Sequence, residues 1–150
     1  MTIREIEEDD RGHWLRMRDA LWPGALSDHD EETRTYFRDA RHVPVVFVAE
    51  VDGALVGFLE LDYRKYAAGC ASSPVPFIEG WYVDPASREH GVGRALIDAA
   101  ESHARRSGYH EIASDAALEN VGGIAAHRAA GYDEVERVVC FRRSLDAPSR

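Results

Sequence analysis

The sequence predicts an α/β fold with a mixed, mostly antiparallel central sheet of six to seven strands and helices on both of its faces. Two observations carry this prediction. Strand-like runs early in the chain flank Asp52-Gly53, a strong hairpin turn, which indicates antiparallel pairing. A strand, a glycine-bearing turn and an amphipathic helix then follow one another over residues 77–103, and this order is typical of a strand–helix–strand unit with parallel strands.

The first half of the chain is expected to hold three strands and two helices, because its apolar runs have start or stop signals beside them. The first helix carries Trp14, Met17 and Leu21 on its apolar side, and polar residues before each helix are the candidate N-caps. In chain order, the elements are a strand at 2–6, a helix capped by Asp9 or Asp10 and ended by Trp22-Pro23-Gly24, a helix capped by Ser27 or Asp28, and strands at 44–51 and 54–63.

The second half is organised around one buried strand at 77–83, which is rich in aromatic and β-branched residues and is ended by Asp84-Pro85. A turn with Gly91 and Gly93 follows it and opens a helix that ends before Gly108. The remaining elements are a short strand at 111–115, a helix from Asn120 to Gly131, and a last strand region at 133–143 with Val135, Val138, Val139 and Phe141.

The turn between the buried strand and its helix is suited to bind an anion. The first amides of a helix have no internal partner and its dipole is positive at that end, and Gly91 and Gly93 let a phosphate approach the backbone. A Walker loop is absent, and the dinucleotide fingerprint lacks its third glycine. Gly-x-Gly alone is weak evidence, so the wider pattern decides between an ordinary turn and a ligand site.

That pattern is Val83-Asp84-Pro85, then Arg88-x-x-Gly91-x-Gly93, then Ala95-Leu96-Ile97. It resembles the coenzyme A signature of the GCN5-related N-acetyltransferases, and the element order fits that family over nearly the whole chain. The resemblance implies a sheet split between strands 4 and 5, with Gly80 at the bulge, and acetyl-CoA as the co-substrate. The residues it implies for coenzyme A are Trp81, Tyr82 and Val83 along the pantetheine arm, Arg88, Glu89, His90, Gly91, Val92, Gly93 and Arg94 around the pyrophosphate, and Asn120.

Segments along the whole chain resemble one branch of that family, the aminoglycoside 6′-N-acetyltransferases of type I. The resemblance implies transfer of an acetyl group to the 6′-amine of aminoglycoside antibiotics, and hence resistance to them. It also implies a substrate site made of Trp22, Tyr66, Glu79, Asp115 and Glu136. The matching segments are Leu21-Trp22-Pro23-Gly24, Gly69-Cys70, Ser72-Ser73-Pro74-Val75, Phe77-x-Glu79-Gly80, Ala113-Ser114-Asp115, Glu119-Asn120 and Glu134-x-Glu136-Arg137-Val138.

The residue types in this set suit a polycation, which needs separated carboxylates and an aromatic face. Glu79 stands inside an apolar strand, where a carboxylate needs a partner, and this favours a functional role. Asp115 fits a turn cap equally well. Glu136 lies in a run of charged residues, and neither Trp22 nor Tyr66 carries a signal of its own apart from the resemblance.

The implied chemistry is direct acyl transfer without an acyl-enzyme. Glu79 or Asp115 is the candidate base for the substrate ammonium, directly or through water. Many family members have a tyrosine four residues before a Gly-Phe pair, where it protonates the leaving thiolate. His127 takes that place here, before Gly131-Tyr132, so proton donation by histidine, a packing role for it and protonation by solvent are all open.

Composition limits the class of partner. The 150 residues carry a net charge of −9, which argues against nucleic acid and is compatible with a cationic amine substrate. No apolar run has the length of a membrane span, the first residues do not read as a signal peptide, and Cys70 and Cys140 match neither a metal site nor a disulfide framework. We therefore expect a single cytoplasmic domain over residues 1–150, without a metal. The valine-rich last strand and exposed sheet edges favour a homodimer, and the resemblance implies the same.

Two alternatives remain from the sequence. An acetyltransferase of the same fold could act on another small amine, a polyamine or a protein amino group, and it would need only the loop from Arg88 to Gly93. A non-catalytic module could instead bind acyl-CoA or sequester the drug. Release of a thiol from acetyl-CoA with kanamycin or tobramycin separates these possibilities.

Overall fold

A computed structural model describes residues 1–38 and 41–146. Within these residues, five strands form one sheet in the order β1-β2-β3-β4-β5, and four α-helices accompany it. The single-turn 3₁₀ segments Glu8–Asp10 and Pro85–Ser87 precede α1 and α3. The elements are β1 (Thr2–Glu5), α1 (Arg11–Leu21), α2 (Leu26–Tyr36), β2 (Val45–Val51), β3 (Ala54–Arg64), β4 (Val75–Val83), α3 (Val92–Arg106), β5 (Ala113–Ser114) and α4 (Val121–Ala129).

The sheet is antiparallel from β1 to β4 and parallel between β4 and β5. Helices cover both faces, as the sequence predicts, and the side chains of paired strand residues show which helix covers which face. Phe58 and its partner Tyr82 lie in the apolar cluster that contains Trp14 of α1. Leu59 and its partner Trp81 lie in the cluster built on α3. The alternation of side chains along each strand therefore separates two cores, one on each side of the sheet.

The prediction of a last strand at 133–143 is wrong. In the described residues the sheet has five strands, not six or seven. A strand needs a neighbour to pair with, and β5, the nearest edge, has only two paired residues. The segment instead runs without a regular partner, and its apolar side chains are exposed. Examples are Val139 at 75% and Phe141 at 92% of full exposure.

The N-terminal signal predicted for the second helix is also wrong. The helix begins at Leu26, so Ser27 and Asp28 lie within its first turn, and Ala25 occupies the N-cap position without a side-chain bond. Asp10 does stand at the N-cap of α1, but its carboxylate accepts hydrogen bonds from Arg4 and from the Glu7 amide rather than from the helix. These competing local partners explain why Asp10 does not cap the helix. Within the described residues, no helix combines the length and apolarity that crossing a membrane requires.

Candidate active site

The site is organised by a β-bulge in β4. Glu60 of β3 pairs with Gly80, and the next residue, Leu61, pairs with Ile78, so Glu79 is left without an opposite residue. The predicted bulge is therefore present, with Glu79 as its extra residue and Gly80 beside it. On the other side, β4 pairs with β5 only as far as Ile78 and Ser114. The two strands part at Glu79, which opens a cleft in the sheet at that carboxylate.

Glu79 is held by Arg64, the last residue of β3. The Nε of Arg64 donates to Oε2 of Glu79 at 2.9 Å, and its Nη2 donates to Oε1. The guanidinium also lies 3.6 Å from the centre of the Phe77 ring, within cation–π distance. The hydrogen bond with Glu79 raises the pKa of Arg64, and the charges of Glu79, Asp115 and Asp62 add to it. Arg64 is thus a cation surrounded by carboxylates.

Trp22 forms a wall beside the bulge. It caps the C-terminus of α1 and packs against Phe58, and Gly80 leaves just enough space for its indole. The backbone of Trp22 is fixed by His29, whose Nε2 lies 2.8 Å from the Trp22 carbonyl oxygen. Because a carbonyl only accepts, Nε2 carries the proton, and Nδ1 of His29 then accepts from Nε of Arg18 at 3.3 Å.

Arg18 continues this network to the sheet. Its Nη1 donates to Oε1 of Glu60 at 2.7 Å, and Glu60 is only 2% exposed. The same oxygen accepts from Nε1 of Trp14 at 3.2 Å. Glu60 pairs with Gly80, and Gly80 contacts Trp22, so the chain of contacts that begins at Trp22 returns to it beside the bulge. A buried ion pair therefore fixes the indole on the cleft wall.

Three further predicted substrate residues, Tyr66, Asp115 and Glu136, line one groove of about 870 Å³. Tyr66 lies in the loop after β3 and is 72% exposed, Asp115 follows β5, and Glu136 belongs to the exposed C-terminal segment. Arg64 lines the same groove while binding Glu79. The structure thus places Trp22 and Glu79 at the bulge, and Tyr66, Asp115 and Glu136 around the groove. Arg64 connects the two places, because it lines the groove and binds Glu79.

The turn before α3 presents donors for an anion. Among the described residues, the backbone amides of 89–94 have no acceptor. Glu89 and Gly91 adopt positive φ values of 64° and 83°, and such alternation of backbone conformation makes neighbouring amides converge into a nest. Together with the N-terminus of α3, these donors fit the pyrophosphate of a coenzyme A molecule. The side chains of Arg88 and His90 bond within the turn, to Val83 and to the Arg88 carbonyl.

The edge of β4 beyond the bulge leads from the cleft to this turn. Trp81 donates from Nε1 to the Gly93 carbonyl at 3.1 Å, which ties the strand to the start of α3. A Cβ at Gly93 would lie 3.2 Å from that indole, so the glycine permits the close approach. Tyr82 is buried on the opposite face against Phe58, so its backbone rather than its ring borders the cleft. Val92 packs in the α3 core, and Arg94 bonds to Asp98.

Across the cleft, α4 presents His127. Its Nδ1 lies 2.6 Å from the Gly123 carbonyl and its Nε2 lies 2.8 Å from Oγ of Ser114, the last residue of β5. The carbonyl can only accept, so in the neutral ring Nδ1 carries the proton and Nε2 accepts from Ser114. Trp81 meets the imidazole edge to face at 5.1 Å. Asn120 caps α4, as predicted, by accepting from the Gly123 amide.

Comparison with known proteins identifies the family. Residues 14–132 match the sequence profile of the Acetyltransferase (GNAT) family. The chain belongs to this family. It is therefore an acetyltransferase, and the resemblance stated from the sequence is confirmed. The sheet that parts between β4 and β5, with an anion-binding turn after β4, is the GNAT fold.

Relatives and solved structures of this family extend over the whole chain. The chain is 44% identical to an aminoglycoside N(6′)-acetyltransferase type 1 of Klebsiella aerogenes, over 95% of this chain and 96% of that one. The apo crystal structure of an aminoglycoside 6′-N-acetyltransferase from Acinetobacter haemolyticus has a TM-score of 0.88 at 37% identity, covering 97% and 100% of the two chains. The enzyme AAC(6′)-Iy, in complex with the bisubstrate analogue CoA-S-monomethyl-acetylneamine, has a TM-score of 0.81 at 36% identity, covering 96% and 98%.

Sequence reasoning missed three groups in this GNAT site. Arg64 ends β3 in a Tyr-Arg-Lys-Tyr run and pairs with Val75, and only the reach of its side chain along the paired strand brings it to Glu79. Ser114 reaches His127 because β5 and α4 meet in space. The pair of Arg18 and Glu60 lies 42 positions apart. Within residues 1–38 and 41–146, no group of three or more histidine, cysteine or acidic side chains is placed to hold a metal ion.

Proposed function

We propose that this acetyltransferase moves the acetyl group of acetyl-CoA to the 6′-amine of aminoglycoside antibiotics, and so confers resistance to them. The observation that carries the proposal is the position of Glu79. It is the bulge residue at the point where β4 and β5 part, between a turn of free amides and a groove lined by acidic residues. The names of relatives that cover nearly the whole chain support the same substrate.

Different residues of the chain have different roles in a direct transfer of the acetyl group. Acetyl-CoA supplies an activated thioester carbonyl, with its pyrophosphate on the amides of 89–94. Trp22, Tyr66, Asp115 and Glu136 bind the sugar rings and ammonium groups of the acceptor.

Glu79, directly or through a water, takes one proton from the 6′-ammonium, and the freed lone pair of the nitrogen forms the new N–C bond. A backbone amide at Tyr82 or Val83 donates to the carbonyl oxygen as charge develops there. The C–S bond then breaks, and the sulfur leaves with the bonding electrons and takes up a proton. The nitrogen gives up its second proton to water, which leaves a neutral amide.

His127 is the proposed source of the proton that the sulfur takes up. Its Nε2 lies on the α4 side of the cleft, next to Ser114 at the end of β5, and Trp81 holds the ring from the other side. Because Nδ1 is bonded to the Gly123 carbonyl, the ring is oriented with Nε2 toward the parting strands. Because Nε2 of the neutral ring carries no proton, His127 has to act as the imidazolium, whose Nε2–H passes its proton to the leaving sulfur through the Ser114 hydroxyl. Histidine in this form takes the place of the tyrosine that many family members carry.

A coupled thiol-release assay tests the function. Purified protein and acetyl-CoA are incubated with kanamycin or tobramycin, and free coenzyme A is measured with a thiol reagent, while the product is located by mass spectrometry and NMR at the 6′-nitrogen. Turnover of a simple amine, with none for any aminoglycoside, would reject the substrate. Tight binding of the drug without thiol release would instead identify a sequestering module.

We further propose that the protein is a homodimer. The exposed apolar side chains of the C-terminal segment support this, since a second copy would remove them from water. They are Val135, Val138, Val139, Phe141 and Leu145. Sedimentation of the wild type and of Phe141→Asp would distinguish a dimer from a monomer.

The use of acetyl-CoA and the two free thiols, Cys70 and Cys140, support a cytoplasmic location.

A further inference from the structure

Arg64 places a positive charge where the substrate ammonium is proposed to bind. Two of its nitrogens donate to the two carboxylate oxygens of Glu79, and its guanidinium rests on the face of Phe77. Asp115 and Asp62 add their charges around it. These are the contacts that an acidic, aromatic site offers to a cation, so the side chain occupies the contacts that a bound amine would use.

The ion pair between Arg64 and Glu79 can be replaced by a pair between Glu79 and another cation. The side chain of Arg64 is 43% exposed and that of Glu79 is 21% exposed, and pairs near the surface contribute little to stability because water and salt screen them. Arg64 is the last residue of β3, and its long side chain can swing toward the loop without any change in the strand. An entering ammonium can therefore displace it at small cost, whereas an uncharged group gains nothing by doing so.

From this we infer that Arg64 is a specificity-determining residue that competes with the substrate ammonium for Glu79. The inference rests on the proposed function and concerns which amines are accepted. Every ammonium acceptor has to displace the same guanidinium before it reaches this carboxylate, and it replaces the charge that leaves. An uncharged group cannot replace that charge, so Arg64 keeps the carboxylate for cationic acceptors. Arg64 thus lowers the affinity for every ammonium acceptor by a common factor.

Replacement of Arg64 by Met tests this with two acceptors, kanamycin and the monoamine methyl 6-amino-6-deoxyglucopyranoside. We expect the KM for kanamycin to fall about two- to fivefold, the range of an exposed ion pair, with kcat within about twofold of wild type. The value of kcat/KM for the monoamine should rise by the same factor, because both acceptors have to displace the same guanidinium. Arg64→Lys keeps the charge and should leave both values closer to those of the wild type.

Two controls separate competition from a general structural effect. Arg34→Met removes an equally exposed arginine that also pairs with a carboxylate, Asp30 on α2, and it should change neither acceptor's KM. Guanidinium chloride added to Arg64→Met should inhibit competitively against kanamycin, while sodium chloride of equal ionic strength should not.

The outcomes are distinct. An unchanged or increased KM for both acceptors in Arg64→Met, with an active wild type, overturns the inference and leaves the proposed function intact. No thiol release by the wild type with any aminoglycoside rejects the proposed function, and the inference fails with it.

Discussion

The indole of Trp22 lies against the backbone of Gly80 so closely that a Cβ at position 80 would come within 2.5 Å of its Cη2 atom. Gly80 follows the bulge residue Glu79 and pairs with Glu60. A single glycine therefore links the bulge in the sheet to the aromatic wall of the cleft.

Gly80→Ala should displace this wall. The added methyl group overpacks the contact, so we expect a loss of about 1–3 kcal/mol in the free energy of unfolding and a rise in the KM for kanamycin. Urea denaturation and steady-state kinetics measure the two effects. Gly12→Ala in α1 is the matched control, because a Cβ there meets nothing within 4 Å, and it should stabilise the helix slightly. Equal behaviour of the two variants would contradict the role of Trp22 packing.

Glu79→Gln should reduce kcat/KM by about 10²-fold or more, since the amide cannot accept the ammonium proton. Asp115→Asn, on the exposed rim of the groove, should mainly raise KM. Glu31→Gln, an exposed carboxylate on α2, is the control and should leave both constants unchanged. If Glu79→Gln and Asp115→Asn both kept full activity, the assignment of this site would be wrong.

His127→Gln should lower kcat about tenfold while KM for the aminoglycoside changes little. The expected factor lies below the usual range of acid catalysis because a thiolate is a good leaving group. Ser114→Ala should produce a smaller effect in the same direction, since it removes the hydroxyl that accompanies Nε2. The readout is kcat with thiol release under saturating substrates. A His127→Gln variant with wild-type kcat would assign the proton to solvent.

Arg18→Met should be strongly destabilising, by about 3–5 kcal/mol, because it leaves the Glu60 carboxylate buried without its cation. The double variant Arg18→Met/Glu60→Leu should recover part of that loss, since neither charge then remains buried. Arg34→Met breaks an exposed pair and should cost no more than about 1 kcal/mol. Thermal and urea unfolding give the three values, and similar losses for Arg18→Met and Arg34→Met would refute the argument.

Asp10 should make the free energy of unfolding depend on pH in the acidic range. Hydrogen bonds from Arg4 hold the pKa of Asp10 below its usual value of 3.8, so the folded state binds this proton less readily than the unfolded state. The stabilisation is complete above that value and is lost as the pH falls toward the lowered pKa. We expect Asp10→Asn to unfold more easily at a pH of about 7, by about 1–2 kcal/mol, and the difference to shrink below a pH of about 4. A difference that did not vary with pH would contradict this.

Local patterns were sufficient to predict most of the fold. The Asp52-Gly53 turn, the cap at Asn120 and the stop after Leu21 all depend on neighbours in the chain, and the structure shows each of them. The prediction of a strand at 133–143 was wrong because the apolar, β-forming residues of that segment do not indicate which strand they would pair with. A strand requires a neighbour as well as a propensity.

The site was predictable only where motif and backbone coincide. The loop from Arg88 to Gly93 could be recognised because its donors are backbone amides of consecutive residues. The partner of Glu79 could not be found in the same way, because Arg64 reaches it only through the register of β3 and β4. The burial of Glu60 likewise depends on α1 crossing the sheet, which no local pattern specifies.

The bulge at Glu79 has a consequence beyond the chemistry of that carboxylate. Ile78 and Gly80 already face opposite sides of the sheet and already pair with consecutive residues of β3. Residue 79 is therefore a single insertion into an otherwise continuous pairing of β3 with β4. In genetic terms, one codon specifies both the extra residue of the bulge and the carboxylate that lies where β4 and β5 part.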